Sequence, residues 1–358
     1  MFSMGVKVAD VKSEVNGHRG LALVTGGAGF LGSHVAAHCL ADGQSVVVLD
    51  DLSGGVKSNI PQGAEFIQGS VEDDLIVRRL FGDYRFDYVY HLAAYAAEGL
   101  SHFIRRYNYT NNLIGTATVL NAALRAGTVK RFVFTSSIAV YGAGQLPMDE
   151  EMTPKPEDPY GISKYAAELD IQSAHRLFGL AYTIFRPHNV YGERQNIGDR
   201  YRNVLGIFMN QVMRGAPLTI FGDGSQTRAF THVDDVAPFI AGCVNIPDSA
   251  NQIYNIGADT PYSVLQLAQM VGKAFNTEPM VHYLPAREEV LHAYSSHEKT
   301  ARVFGRSAQV SLSDGVARMA AWAKAVGPMS SRYFENIEVT EKLPSSWVAP
   351  AVPTTRSE

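Results

Sequence analysis

Over its first half the chain alternates short, wholly apolar runs with longer stretches of helical periodicity. Leu21-Ala22-Leu23-Val24-Thr25 is one such run, and Val46-Val47-Val48-Leu49, ending on Asp50-Asp51, is the next. Short runs that are apolar at every position fit strands covered on both faces. Further strands are expected at 65–69, 87–92, 131–137 and 181–186, the last stopped by Pro187. Between them lie helical patterns ending near Ala41 and Phe81, then longer ones at 103–126 and 160–177. Leu113, Thr116, Ala117, Leu120 and Leu124 keep the 3.6-residue period, and Gly127 and Gly179 close the two long helices. Strand–helix alternation of this kind predicts an α/β fold, a Rossmann-type doubly wound parallel sheet. Beyond Tyr191 the elements shorten: helices are expected at 203–214, 233–244, 263–274 and 312–325, and strands at 218–221, 253–255 and 280–283. The expected organisation is an N-terminal extension (1–19), a dinucleotide domain (20–190), a smaller α/β substrate lobe (191–339) whose strands can interleave with the sheet, and a Pro-containing disordered tail (340–358).

Composition adds exclusions. The chain has 358 residues, 46% hydrophobic and 18% charged, with a net charge of −4, which argues against nucleic acid or an anionic membrane as partner. No apolar run approaches the roughly 20 residues of a membrane span, and the first 20 residues lack the apolar segment of a secretory signal. The two cysteines, Cys39 and Cys243, lie in different elements and do not form a disulfide framework. A reducing, cytoplasmic setting fits. The 11 histidines show no metal-ligand spacing. His91 and His232 read as structural, and Asp234-Asp235 as a helix cap.

The turn Gly26-Gly27-Ala28-Gly29-Phe30-Leu31-Gly32 joins the first strand to the first helix. Its glycines let backbone approach a pyrophosphate, and the helix N-terminus presents free N–H groups to it. Asp50, at the end of the second strand, is placed to accept hydrogen bonds from an adenosine ribose. An acid there repels a 2′-phosphate, so the expected cofactor is NAD.

Tyr160 and Lys164 lie four residues apart at the start of a helix and so share a face. Beside an ammonium and a cationic nicotinamide, the phenol is expected to titrate below its usual value and serve as a base. Lowering it by about three units takes roughly 4 kcal/mol. Ser137, at a strand end on the same sheet edge, can relay or hold the substrate proton.

Glycine turn, strand-end serine and Tyr-x-x-x-Lys occur here in the order found in short-chain dehydrogenase/reductases. His91-Leu92-Ala93-Ala94, Asn112-Leu113-Ile114-Gly115-Thr116 and Ser136-Ser137-Ile138-Ala139-Val140-Tyr141-Gly142 resemble the extended branch, the NAD-dependent epimerase/dehydratase family, over about residues 20–325. Within it the chain looks most like the UDP-hexose 4-epimerases. The resemblance implies a catalytic set of Ser137, Tyr160 and Lys164. It implies NAD contacts from Gly26, Gly29, Phe30, Leu31, Gly32, Asp50, Ser70, Val71, Leu92, Ala93, Ala94, Asn111, Tyr160, Lys164 and Pro187. For a UDP-sugar it implies Ser137, Tyr160, Asn189, the Asn203-Val204 pair, Thr219 and Phe221 at the uracil, and Arg228 and Arg287 on the diphosphate. Two arginines suit a doubly charged diphosphate through their forked donors. Tyr294 falls where a bulky residue limits the sugar's C2 substituent; a packing role fits it equally.

The implied reaction takes a UDP-hexose through a transient 4-keto sugar that turns over and is reduced on its other face. Dehydratases and decarboxylases of the branch carry a carboxylate two residues after the serine. Here that position is Ala139, which favours plain epimerisation. Two positions depart from the epimerase pattern. Ser70, with Glu72 and Asp73 nearby, stands in place of an acid for the adenine, and Ala96 replaces a lysine. A UDP-glucuronate 4-epimerase is the alternative, with Glu98 opposing a carboxylate and Arg105 or Arg194 offsetting it; a dehydratase or a catalytically silent NAD sensor fits less well. The resemblance also implies a homodimer through the helices near 103–126 and 160–178, which otherwise only cover the sheet.

Overall fold

In the computed structural model, residues 19–144, 146–286 and 290–348 are described. Seven parallel strands form the central sheet: β1 (Leu21–Thr25), β2 (Ser45–Asp50), β3 (Glu65–Gln68), β4 (Tyr88–His91), β5 (Arg131–Thr135), β6 (Tyr182–Pro187) and β7 (Gln252–Ile256). Their order is β7-β6-β5-β4-β1-β2-β3. The order reverses direction between β1 and β4, which opens a crevice beyond their carboxyl ends. Thr25 stands opposite both Leu49 and His91, and Thr135 opposite Phe185. The residues that follow these strands therefore share one edge.

The inner strands are buried on both faces, which is why their runs are nearly continuously apolar, whereas β3 at the edge leaves Glu65 and Gln68 exposed. Leu23, Val47, Leu49, Val89, Phe132 and Phe134 pack on one side with Val77, Leu80, Leu120 and Ile171. Ala22, Val24, Val46, Val48, Tyr90 and Val133 pack on the other with Val35, Ala36, Cys39, Ile240 and Cys243. Each fully buried aliphatic side chain contributes about 1.5–3 kcal/mol. The covering helices are α1 (Phe30–Ala41), α2 (Asp74–Asp83), α3 (Gly115–Ala126) and α4 (Pro159–Phe178). The expected single helix at 103–126 is instead Arg105–Tyr109, a π-helical turn at Thr110–Ile114, and then α3. Asp158 caps α4 by accepting from Gly161 N–H at 2.9 Å, Pro159 occupies its first turn, and Gly179 ends it at φ +76°.

The smaller lobe packs α5 (Val204–Met213), α6 (Val264–Ala274) and α7 (Leu312–Val326) around Phe208, Met209, Leu267, Val271, Val316 and Met319. Leu218–Phe221 pairs in parallel with Val281–Leu284, and Thr227–Ala229 lies between Pro261–Ser263 and His292–Ala293. The lobe is not one contiguous stretch. The helix Ala237–Gly242 packs on α1 and β7 adds to β6, so residues 237–256 return to the sheet. The pattern at 233–244 is a short helix flanked by 3₁₀ turns. The expected disordered tail is also corrected as far as it is described. Residues 345–347 form a turn that buries Trp347 among Leu100, Ile104 and neighbouring aromatic rings. The N-terminal extension to residue 18 and the tail from 349 lie outside the described residues. Among the described residues no helix is long and apolar enough to cross a membrane.

Candidate active site

A cavity of about 600 Å³ runs along the carboxyl edge of the sheet and under the smaller lobe. The glycine turn forms its floor for geometric reasons. Gly26 has φ +71°, and a Cβ there would lie 2.8 Å from the backbone of Ala93; one on Gly32 would lie 2.1 Å from the carbonyl of Gly26. Only glycine lets the turn, the β4 loop and α1 approach so closely. Gly29 precedes α1 without a side-chain cap, so the first N–H groups of the helix stay available to an anion. Asp50 accepts from Ala28 N–H at 3.0 Å and Leu52 N–H at 2.8 Å. Those bonds hold its carboxylate in place while burial pushes its pKa up, and a carboxylate keeps further lone pairs for a ribose diol. Phe30, Leu31, Ser70, Val71, Leu92, Ala93, Ala94, Asn111 and Pro187 line the same cavity. The cradle, the open helix end and the oriented acid together fit NAD.

Ser137, Tyr160 and Lys164 line the same cavity. Lys164 donates to the Thr135 carbonyl at 2.9 Å and lies 5.9 Å from the centre of the Tyr160 ring. Burial pushes its pKa down to about 7, opposed by the charge of Glu168. The Tyr160 pKa is raised, first by burial and then by Glu98, against a hydrogen bond with Ser137. The expected depression is therefore not a property of the protein alone. Loss of water and the charge of Glu98 outweigh the Ser137 hydrogen bond and the positive charge of Arg202. Ser137 Oγ accepts from Ala139 N–H at 3.1 Å, which fixes its rotamer. Ala139 lines a side pocket of about 60 Å³ beside Ser137, where an eliminating enzyme would need an acid. Ala96 lines the main cavity where the resemblance calls for a lysine.

The substrate end draws on the lobe. Asn189 sits at φ +41° and donates to the Ala229 carbonyl at 3.1 Å. Asn203, at φ +62°, leads into α5 without capping it, so the N–H groups near Val204 stay open to an anion. Thr219 and Phe221 line the cavity wall, and Arg228 lines it while donating to the carbonyls of Thr227 and Leu291, each at 2.9 Å. Arg287 lies outside the described residues. Tyr294 is not among the described residues lining the cavity; its main-chain carbonyl accepts from Met148 N–H at 3.0 Å.

Sequence reasoning missed Arg202, Tyr95, Tyr107 and Tyr201, all of which line the cavity. Arg202 pairs with Asp199 at 2.6 Å and lies 4.8 Å over the ring of Tyr95. Its place immediately before Asn203 was the available signal. The tyrosines carried none, because nothing in their local pattern marks them as neighbours. Structural roles fit His91, which is buried between Thr25 Oγ1 at 2.7 Å and Thr116 Oγ1 at 2.9 Å.

Comparison with known proteins places this geometry. A putative UDP-glucose 4-epimerase of Methanocaldococcus jannaschii is 35% identical over 307 residues, covering 85% of this chain and 98% of that protein. The crystal structure of the UDP-glucose 4-epimerase of Thermotoga maritima with UDP-glucose superposes with a TM-score of 0.81 at 33% identity, covering 86% of this chain and 99% of that one. The dTDP-D-glucose 4,6-dehydratase of Mus musculus is 31% identical over 317 residues, covering 84% and 87%. Residues 22–257 match the NAD dependent epimerase/dehydratase family, and with the cradle, the Tyr–Lys pair and the two-lobed cavity in agreement, the chain belongs to that family.

Proposed function

We propose that this chain interconverts UDP-glucose and UDP-galactose by 4-epimerisation, retaining NAD between turnovers. The observation that carries the reading is Ser137, Tyr160 and Lys164 lining one cavity, with Ala139 at the position two residues after Ser137 where an eliminating enzyme carries a carboxylate. Bound NAD+ supplies a reversible hydride acceptor. Tyr160 takes the proton of the C4 hydroxyl, directly or through Ser137, and returns it when the 4-keto sugar has turned its other face. Lys164, held on the Thr135 carbonyl, stands beside the phenolate as it forms. Asn189, the start of α5 and Arg228 hold the diphosphate while the ring swings; Arg287 is assigned the same task. Ala139 supplies no general acid at the position two residues after Ser137, which favours epimerisation over water elimination.

Glu98 lines both the cavity and the side pocket, so a uronate carboxylate would be repelled and a neutral hexose is favoured. Ile114, Ile162 and Leu169, with 53%, 39% and 48% of their surface exposed, lie on the helices proposed to pair two copies. The buried free thiols of Cys39 and Cys243 fit a cytoplasmic protein. The test is incubation with UDP-glucose, UDP-galactose, UDP-glucuronate and UDP-N-acetylglucosamine without added reductant. Interconversion of the first two is expected. Absence of any C4 interconversion would overturn the proposal, and exchange of only the uronate pair would replace it with the alternative.

A further inference from the structure

The segment 329–348 lies beyond the family match, which ends at residue 257, yet it touches both lobes at the cavity. It begins on the smaller lobe, where Met329 exchanges two hydrogen bonds with the Asn210 side chain, at 2.9 and 3.0 Å. Arg200 lies 3.7 Å over Tyr333 and donates to Ser331 at 3.2 Å. The segment then reaches the sheet domain. Both carboxylate oxygens of Glu338 accept 2.8 Å bonds from the N–H groups of Arg106 and Tyr107, capping a helix that has no cap of its own. Finally it returns, and Trp347 is buried at 4% exposure.

Its aromatic residues stand behind the cavity wall. Phe334 packs on Tyr95 and Tyr107, with ring centres 5.5 and 5.0 Å apart, and its N–H donates to the Tyr201 hydroxyl at 2.9 Å. Trp347 packs edge-on against Tyr201 at 5.3 Å and Phe221 at 6.3 Å. All four partners line the cavity. Aromatic rings supported in this way lose little further freedom when a flat base stacks on them.

We propose that residues 329–348 form a strap that positions the aromatic wall for the nucleoside of the nucleotide-sugar, with Phe334 and Trp347 as positioning residues. This rests on the reading of the site as one for a nucleoside-diphosphate sugar. The strap acts on binding and leaves the chemistry at Tyr160 alone, because its contacts end at the wall.

The experiment measures KM and kcat of the full chain, and the Kd of UDP and dTDP by calorimetry, for Trp347→Ala, Phe334→Ala and Trp347→Phe. Expected are a rise of about tenfold in KM and in Kd for the two alanine variants, the order of one lost aromatic contact, with kcat within about twofold. Trp347→Phe should recover most of the affinity. Should an alanine variant fail to fold, Glu338→Gln, which keeps the rings and weakens the cap, is expected to shift Kd the same way by a smaller factor. Wild-type binding of UDP with Kd unchanged in every folded variant would overturn the strap alone. A wild-type protein that binds neither nucleotide would overturn the reading of the site and the strap with it.

Discussion

Lys164 holds its ammonium 5.9 Å from the ring centre of Tyr160, in a setting dry enough to bring its own pKa down to about 7. The pair is thus arranged against stability. In the unfolded chain Lys164 titrates near 10.5, so between about pH 7 and 10.5 the unfolded state binds more protons and stability rises with pH. Below pH 7 the cost of burying the ammonium is fully present. Lys164→Met should therefore unfold at higher urea than the wild type at pH 6, with the gap closing toward pH 10, while activity falls about 10²-fold or more. Urea titrations at both pH values check this; a variant less stable at pH 6 would refute it.

Tyr160 and Ser137 should separate by magnitude. Tyr160→Phe removes the proposed proton acceptor and is expected to lower kcat about 10³-fold. Ser137→Ala leaves Tyr160 without its hydrogen-bond partner and should lower kcat about 10²-fold. KM should change little in either case, since neither group holds the diphosphate. Steady-state kinetics with UDP-galactose read both numbers.

Gly32→Ala places a methyl 2.1 Å from the Gly26 carbonyl. Nothing flexible is present to yield, so α1 must move off the turn, at a cost on the order of 2–4 kcal/mol. The purified variant should carry less NAD, seen in the nucleotide released on denaturation, and should melt earlier than the wild type.

Glu168 accepts from Arg186 through both carboxylate oxygens, at 2.9 and 2.6 Å, and both side chains are almost fully buried. Arg186 also donates to the Tyr141 hydroxyl at 2.7 Å. Glu168→Leu strands a buried guanidinium and should cost about 3–5 kcal/mol, whereas pairing it with Arg186→Met should recover most of that loss. Denaturant melts of the two variants and the double variant test the asymmetry.

Apolar runs and glycine spacing were enough to read the sheet, the turn and the Tyr–Lys helix from the chain. Each is a local pattern: a strand covered on both faces has no polar register, Gly26 and Gly32 answer contacts within one turn, and a helix places residues four apart on one face. The π-helical turn at Thr110–Ile114 was not legible, because it shifts the period by one residue inside an otherwise regular pattern. The return of residues 237–256 to the sheet was legible only as a strand at 253–255 that can interleave; its place beside β6 is chosen by that strand's open edge, which no local signal describes.

The sequence by itself determined the glycine turn, the acid that ends β2 and the pairing of Tyr160 with Lys164, since each is set by spacing within or next to a single element. Tertiary structure decided the rest. Whether Tyr160 is ionised depends on burial and on Glu98, which folding brings to it from the β4 loop. Arg202 with Tyr95, and Trp347 with Phe221, meet only because the lobe and the strap close over the sheet edge. Those contacts join residues far apart in the chain, and their energies exist only once the intervening chain has packed.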